Sequence, residues 1–396
     1  MATDLGYPVY DADNHFYEPQ EAMTAHLPRK WRKEFQYVQV DGRTKLAIGG
    51  QISDYIPNPT FEVLAAPGAH ELWYRARNHE GLTLRELSGT PIPCPDAYRN
   101  GADRLGLMDE QGVHATLMFP TLASAVEERM HGDHELMNAV LHSLNEWTFE
   151  QWGFAREGRI FAVPFVTLMD VDMAVAELEW ALERGARTVG LRPAPVPGYR
   201  GSRSPGFPEF DPFWARVNEA GIFVSMHASD SGYDRFARIW QGGTEFLPFV
   251  PDPFKMCLRL ADRAIHDSMA ALVCHGVFER HPGVRVASIE NGGKWVKGLM
   301  DTFAHVYGQM PKDFPEPPTE TFRRHVFVAP FYEEPIQQLS DLIGVTQVLF
   351  GSDYPHPEGM AEPTAFIHEL DGMAADDQRR IMSTNLKALL ESTPLH

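Results

Sequence analysis

The sequence predicts an α/β fold, a (β/α)8 TIM barrel, and three observations support this prediction. Short runs rich in Val, Ile and Phe alternate along the chain with longer stretches of helical periodicity. The short runs mostly lack polar alternation, as expected of parallel strands that are buried on both faces. Eight such runs are present, and eight strand–helix units favour a closed barrel over an open sheet.

The predicted strands and helices follow one another in regular order. The strands are expected at residues 8–13, 114–119, 160–165, 188–192, 222–227, 284–290, 325–328 and 347–351. Helical patterns cover residues 134–154, 171–185, 212–221, 261–280, 294–306 and 335–343. Gly221 and Gly344 stand at the ends of two of these helices, where glycine is typical of a helix C-terminus.

Two long segments exceed what a bare barrel needs. Roughly 250 residues suffice for a barrel, so about a third of this chain is insertion. The excess lies at residues 36–102, after the first strand, and 228–254, after the fifth. Both follow a strand and are expected on the C-terminal rim, where barrel active sites lie. We therefore predict one barrel domain over residues 1–396, with these insertions as lids or pocket walls.

Charge and composition exclude several classes of partner. The chain has 35 Lys and Arg against 54 Asp and Glu, a net charge of −19, which disfavours binding to nucleic acid or to an acidic membrane surface. No run of 18 apolar residues is present. The first residues lack a signal-peptide pattern, and three scattered cysteines do not build a disulfide frame. These features predict a cytoplasmic enzyme with a small-molecule substrate.

Polar residues collect at the ends of the predicted strands. Asp13 and His15 end the first strand, His227 the fifth, Glu290 the sixth and Asp353 the eighth. Any one of these acids could instead cap a helix or form a turn, and a single histidine is more often a buried core residue. Together, however, carboxylates and imidazoles at the mouth of one barrel are typical of a metal site.

Five motifs extend this pattern over nearly the whole chain. They are DADNHFYEP at residues 11–19, LRPAPVPG at 191–198, FDPFWARVNEAGIFVSMH at 210–227, GVFERHPGVRVASIENGG at 276–293 and VLFGSDYPHPEG at 348–359. In order and spacing the sequence resembles the amidohydrolase superfamily. The resemblance is to the branch that contains aminocarboxymuconate-semialdehyde decarboxylase and related aromatic acid decarboxylases.

The resemblance implies a metal site of Asp13, His15, His227 and Asp353. Asp13 stands where many members have the first histidine of a pair. Dinuclear relatives carry a bridging lysine at the end of the fourth strand, where this chain has Arg192, so one ion is expected. Two carboxylates and two imidazoles around a divalent ion sum to a nominal charge of 2 − 2 = 0. Zinc or manganese suits this mixed set of ligands.

The catalytic candidates are Asp353 and Glu290, on which the family's strand-eight aspartate and strand-six histidine fall, together with Arg192 and His275, which are chosen from their positions in the sequence. Glu290 replaces a histidine that is catalytic in some relatives. Arg192 could bind a substrate carboxylate or form a structural salt bridge. His275 could line the pocket or pack against a helix, and His356 could orient Asp353. Aromatic pocket walls are expected from Tyr17, Trp73, Tyr74, Phe119, Trp240 and Phe331.

The predicted activity is non-oxidative decarboxylation of a small carboxylated or aromatic substrate by a metal-dependent carboxy-lyase. The alternative is a metal-dependent hydrolase that cleaves an amide, ester or lactone. A metal-binding barrel without activity is a third interpretation, although His227 and Asp353 are both intact. Relatives often dimerise through rim insertions, so we also expect a homo-oligomer, a dimer.

Overall fold

The computed structural model describes residues 4–53, 55–56, 58–199, 201–242 and 250–392. Within these ranges seven parallel strands form most of the barrel wall. They are β1 (Tyr10–Phe16), β2 (Ala115–Pro120), β3 (Ile160–Ala162), β4 (Thr188–Leu191), β5 (Phe223–His227), β6 (Val286–Ile289) and β7 (Val326–Val328). Nearly every strand residue is buried, which agrees with the missing polar alternation of the sequence.

The wall closes into a ring through three further contacts. Strands β1–β3 form one parallel sheet and β4–β7 a second. A parallel bridge from Phe165 to Gly190 joins the two sheets on one side. On the other side Val348 bridges to Val328, and the Ala12 amide donates to the Phe350 carbonyl at 2.8 Å. The predicted (β/α)8 barrel is confirmed. The eighth position of the wall, residues 347–351, forms isolated hydrogen bonds and bridges with its neighbours instead of a regular strand ladder.

Helices surround this wall. The longer ones are Gly101–Gln111, His134–Trp152, Val171–Glu183, Asp211–Ala220, Asp234–Gln241, Leu260–Cys274, Lys294–Gln309, Pro318–His325 and Ile336–Ile343. Short ones are Glu71–Tyr74, Leu84–Leu87, Ala123–Val126, Pro253–Leu258, Val277–Arg280, Ala375–Arg379 and Asn385–Leu390. The helix predicted at 261–280 breaks at Gly276, whose φ of 72° lies in the left-handed region. None of the helices in the described ranges combines the length and the hydropathy that crossing a membrane requires.

The first insertion folds into small sheets of its own. Strands Phe35–Val40, Arg43–Ile48 and Gln51–Ile52 form an antiparallel sheet, and Val63–Leu64 pairs with Ile92–Pro93. In the second insertion, predicted at 228–254, residues 243–249 lie outside the described part of the chain. The hydrophobic core fills the barrel and the space between the wall and the helices.

A buried polar network joins β1 to the segment that follows the eighth wall position. Asp11, fully buried, accepts hydrogen bonds from the Asn14 side chain and the Ser352 hydroxyl, both at 2.6 Å. Arg104, also fully buried, donates to the Asn14 side chain at 2.5 Å and to the Tyr354 carbonyl at 3.4 Å. Because buried polar groups are costly unless they are satisfied, this network holds both chain segments in one arrangement.

We expect Gly359→Ala to destabilise the protein, because a Cβ there would overlap the carbonyl oxygen of Asp353 and lie 2.7 Å from that of Ser352. The backbone would have to shift, at a cost of about 1–3 kcal/mol. Gly298→Ala is the matched control, since a Cβ at this helical position meets nothing within 4 Å and should be neutral or stabilising by up to about 1 kcal/mol. Urea unfolding measures both, and equal stability of the two variants would contradict this packing.

Candidate metal centre and active site

Four side chains meet at the carboxyl ends of β1, β5 and β6, and we call them the mouth cluster: Asp13, His15, His227 and Glu290. The His15 Nε2 lies 3.3 Å from Asp13 Oδ1, 3.2 Å from Glu290 Oε2 and 3.1 Å from the His227 Nε2. The His227 Nε2 in turn lies 3.1 Å from Glu290 Oε2. One donor atom from each residue lies within 4.8 Å of all the others. Four donors of this kind suit one metal ion.

The carboxylates of the mouth cluster lack ordinary partners. Asp13 Oδ1 and Glu290 Oε2 are buried, and among the described residues neither accepts a well-aligned hydrogen bond. His227 Nδ1 lies 2.8 Å from the Ala228 carbonyl oxygen, to which it can only donate. A neutral His227 therefore carries its proton on Nδ1 and presents the Nε2 lone pair to the cluster. These atoms fit a divalent cation.

The protonation of the cluster supports the same conclusion. Burial disfavours charge on His227, yet Glu290 and Asp13 beside it raise its pKa to about 10. Burial disfavours charge on His15 as well, but the carboxylates of Asp13 and Glu290 beside it raise its pKa. Burial would raise the pKa of Glu290, but His227 and His15 hold it well below its usual range. The protonated His227 thus supplies positive charge that a divalent ion would otherwise bring.

Asp353 lies at the edge of the mouth cluster. Its Oδ1 is 3.6 Å from the His15 Nε2 and forms a hydrogen bond of 2.7 Å with the His356 Nδ1. The His356 Nε2 in turn lies 3.2 Å from the Thr121 hydroxyl. Burial, followed by the nearby charges of Glu290 and Asp13, raises the pKa of Asp353 well above its usual value.

Two of these acids have an uncommon backbone conformation. Glu290 and Asp353 have φ of 54° and 55°, in the left-handed region that non-glycine residues rarely occupy. Such conformations persist where the surrounding structure enforces them, and they concentrate at functional sites. Glu290 directly follows β6, and Asp353 follows the eighth wall position, so both acids lie at the barrel mouth.

A cavity of about 520 Å³ opens above the mouth cluster. Its walls are largely aromatic and aliphatic, formed by Tyr17, Tyr55, Ile56, Phe61, Val63, Leu64, Tyr74, Leu122, Phe331 and Tyr332. Several of these come from the first insertion. Three more acids face the cavity, Asp230, Glu333 and Glu358, and no described lining residue is Arg or Lys. Of the aromatic residues predicted from sequence, Tyr17, Tyr74 and Phe331 are in this wall.

The structure brings three of the predicted metal ligands, Asp13, His15 and His227, together with Glu290, and places the fourth, Asp353, in a second group with His15, Glu290 and His356. The sequence analysis placed Glu290 in the catalytic set only, whereas the structure places it against both histidines of the mouth cluster. The reason is its left-handed backbone, which strand periodicity does not encode.

Arg192 and His275 lie outside this arrangement. Arg192 is buried against Glu128, 2.6 Å from its Oε2, and donates to the Asp230 carbonyl at 3.1 Å. Of the two alternatives for Arg192, a substrate-binding residue or a structural salt bridge, the structure shows the salt bridge. His275 follows the helix Leu260–Cys274, bonds to the Ser204 hydroxyl at 2.7 Å and lies outside the cavity wall. We leave both residues out of the catalytic set because neither faces the cavity.

Sequence reasoning missed some of the residues around the cavity. Thr121 and Glu358 were not proposed as site residues, although Glu358 belongs to the GSDYPHPEG motif at 351–359 that pointed to Asp353. The motif was a usable signal for Glu358, since the whole loop follows a strand end. Thr121 follows β2 immediately, but nothing in its local sequence distinguishes it from an ordinary loop residue.

Comparison with known proteins identifies relatives of this architecture. The profile of the amidohydrolase family matches residues 10–391. The gamma-resorcylate decarboxylase of Rhodococcus jostii (strain RHA1) is 24% identical over 268 residues, 64% of this chain and 76% of that protein.

Solved structures agree. An amidohydrolase from Mycobacterium avium subsp. paratuberculosis K-10 is 42% identical with a TM-score of 0.92, over 98% of this chain and 100% of that one. A dihydroxybenzoic acid decarboxylase from Polaromonas sp. JS666, with bound manganese and an inhibitor, is 15% identical with a TM-score of 0.59, over 97% of each chain. The second likeness supports the fold, and the predicted family is confirmed.

We expect His227→Ala to reduce bound metal far below one ion per chain, because the variant loses one of four donors. His275→Ala is the matched control, since this histidine lies outside the cavity and its removal should leave the metal content unchanged. Elemental analysis after equal loading with manganese measures both. Equal metal content in the two variants would rule out His227 as a ligand.

Metal binding should also stabilise the fold. Adding Mn²⁺ to chelator-treated protein should displace a proton from His227 and compensate the buried carboxylates. At about 100 times the dissociation constant the expected gain is about 2.7 kcal/mol, visible in urea unfolding. Glu290→Gln, which removes one charge with little change of shape, should diminish the gain. A stability of the wild-type chain that is independent of Mn²⁺ would contradict the metal site.

Proposed function

The chain belongs to the amidohydrolase family, and from this premise we propose that it is a metal-dependent carboxy-lyase acting on a small carboxylated, aromatic substrate. One observation supports this proposal above the others. The mouth cluster and Asp353 lie at the base of an aromatic-walled cavity, so a metal site, a proton-carrying acid and a surface for a flat molecule face the same space.

The relatives support loss of CO₂ as the reaction. The curated relative from Rhodococcus jostii is a decarboxylase, and so is the manganese-containing structure from Polaromonas. The mouth cluster would hold one divalent ion, and we propose manganese first and zinc second. When bound, this ion would supply the positive charge that binds a carboxylate or hydroxyl oxygen of the substrate.

The chain's own residues would perform the proton transfer. The bond from the substrate carbon to its carboxylate breaks, CO₂ leaves, and the electron pair that remains on the carbon takes a proton from the Asp353 carboxyl. His356 holds that carboxyl in place through its 2.7 Å contact, and water restores the proton afterwards. The aromatic walls would orient the substrate ring and exclude water from the reacting carbon.

Hydrolysis is the second candidate, and one observation favours it. No described residue of the cavity wall is Arg or Lys. A neutral amide, ester or lactone needs no cationic side chain for binding, so this wall suits it. In this case Asp353 would act as general base toward a water molecule. The interpretation as an inactive metal-binding barrel requires a degraded site, whereas all four residues of the mouth cluster are in place.

Location and assembly form part of the proposal. We propose a cytoplasmic enzyme, as the composition and the few cysteines predict, and a dimer that uses the rim insertions. Fractionation of the source cells tests the first statement. Size-exclusion chromatography with light scattering tests the second.

The direct experiment is a turnover screen. Chelator-treated protein is reloaded with Mn²⁺ or Zn²⁺ and offered hydroxylated aromatic acids, while released CO₂ is measured. The same preparations are offered aryl esters, anilides and lactones. Metal-dependent CO₂ release supports the carboxy-lyase. Hydrolysis without CO₂ release from any acid would establish the second candidate instead.

We expect Asp353→Asn to lower kcat by about 100-fold or more, since a positioned acid contributes roughly 10²–10⁴ in rate. The variant should keep its fold and bind substrate. Asp313→Asn is the control, because Asp313 is exposed and is not part of the cavity wall. This variant should retain full turnover. Steady-state kinetics of both measure the effect, and near-normal turnover of Asp353→Asn would remove this residue from the mechanism.

A further inference from the structure

The cavity also indicates which kind of acid the enzyme accepts. Resting on the proposed function, we propose that the substrate is a monocarboxylic acid whose apolar body exceeds one aromatic ring, and that Glu358 excludes acids with a second carboxylate. Size, wall chemistry and charge each support a part of this proposal.

The first part concerns size. A cavity of about 150 Å³ is large enough to hold benzene, whereas the cavity above the mouth cluster measures about 520 Å³. A single-ring acid would leave much of this space to water and would forgo contact with the outer walls. A body of two fused or linked rings would fill it better.

The second part concerns the walls. Tyr17 and Phe61 pack with ring centroids 4.8 Å apart, and Tyr17 lies 5.5 Å from the His356 ring. The apolar wall therefore extends continuously from beside Asp353 outward to the first insertion. Phe331 and Tyr332 belong to the lining after β7. A substrate ring that reaches beyond the metal site would meet aromatic faces along this path.

The third part concerns the acids that face the cavity. Asp230 is paired with Arg129, 3.1 Å from its Oδ2. Glu333 lies near Arg75 and Lys294, which offset its charge. Burial, followed by the like charge of Glu290, raises the pKa of Glu358 to about 7, and His15 is its oppositely charged neighbour. Among the described residues, Glu358 is therefore the lining acid outside the metal site whose charge no Arg or Lys offsets.

Three arginines near the site already bind other groups of the protein. Arg192 is bound to Glu128, Arg75 to Glu71 and Glu369, and Arg104 to carbonyl oxygens behind the mouth. Outside the described ranges the sequence contains a single Arg or Lys, at position 200. Above pH 7, where the Glu358 carboxyl is ionised, a second substrate carboxylate would therefore face it without a described Arg or Lys, and like charges in a desolvated site repel strongly. Polar groups at that end should instead be hydrogen-bond donors such as hydroxyls.

Three matched acids test the proposal by binding. They are 2-hydroxybenzoate, with one ring and one carboxylate, 1-hydroxy-2-naphthoate, with two rings and one carboxylate, and 4-hydroxybenzene-1,3-dicarboxylate, with one ring and two carboxylates. Calorimetric titration into the manganese-loaded protein at about pH 8, where Glu358 is ionised, should show the naphthoate binding roughly tenfold more tightly than the benzoate and the dicarboxylate roughly tenfold more weakly. Equal affinity of benzoate and naphthoate would overturn the size argument.

Two isosteric variants isolate the charge. Glu358→Gln should raise the affinity for the dicarboxylate relative to the benzoate by roughly tenfold. Glu333→Gln, whose charge is offset by its neighbours, should change that ratio much less. Equal ratios in the two variants, or a wild-type protein that binds the dicarboxylate as well as the benzoate, would overturn the role of Glu358. Urea midpoints and metal contents show whether the variants are folded and loaded with metal. The comparison of the three acids on the wild-type protein does not depend on the variants.

Release of CO₂ from the same three acids separates this proposal from the proposed function. Binding in the predicted order without any CO₂ release would refute the carboxy-lyase and leave the charge and size selection in place. CO₂ release from the dicarboxylate at the rate of the monoacids would refute the selection and leave the carboxy-lyase in place.

Discussion

The charge at the barrel mouth is the constraint on which the rest of the structure depends. Two carboxylates and two imidazoles converge within 4.8 Å, and one oxygen of each carboxylate is buried without a well-aligned hydrogen bond from a described residue. Uncompensated charges in a buried environment are costly. Such an arrangement persists when a cation balances it and when the surrounding chain cannot relax away from it. The remaining features of the site follow from these two requirements.

Rigidity comes from the polar network behind the mouth. Asp11, Asn14 and Ser352 bond to one another, and Arg104 ties this group to the carbonyls of His15 and Tyr354. Because each of these groups is buried, any rotation would leave a polar atom unsatisfied. The network therefore fixes the backbone on either side of the metal site. It also explains how residues at opposite ends of the chain keep a common geometry.

The cavity combines features that point to different chemistries. The family and its decarboxylases favour an acid substrate, while the described wall offers no Arg or Lys to a carboxylate. Both observations agree when the substrate has one carboxylate, held at the metal site, and an apolar remainder. Glu358 then acts against a second negative charge, and the aromatic walls bind the body. Selectivity in this account arises from repulsion as much as from attraction.

The sequence by itself determined the barrel, because strand order and buried periodicity dictate which strand ends share a rim. Its motifs determined the family, and the strand ends placed Asp13, His15 and His227 on the same rim. Local pattern could not determine the roles of Glu290 and Arg192. Glu290 joins the mouth cluster with a left-handed φ of 54°. Arg192 forms a salt bridge with Glu128, which is distant in sequence. Side-chain direction and ion pairing depend on contacts between remote segments, so only the tertiary structure decided them.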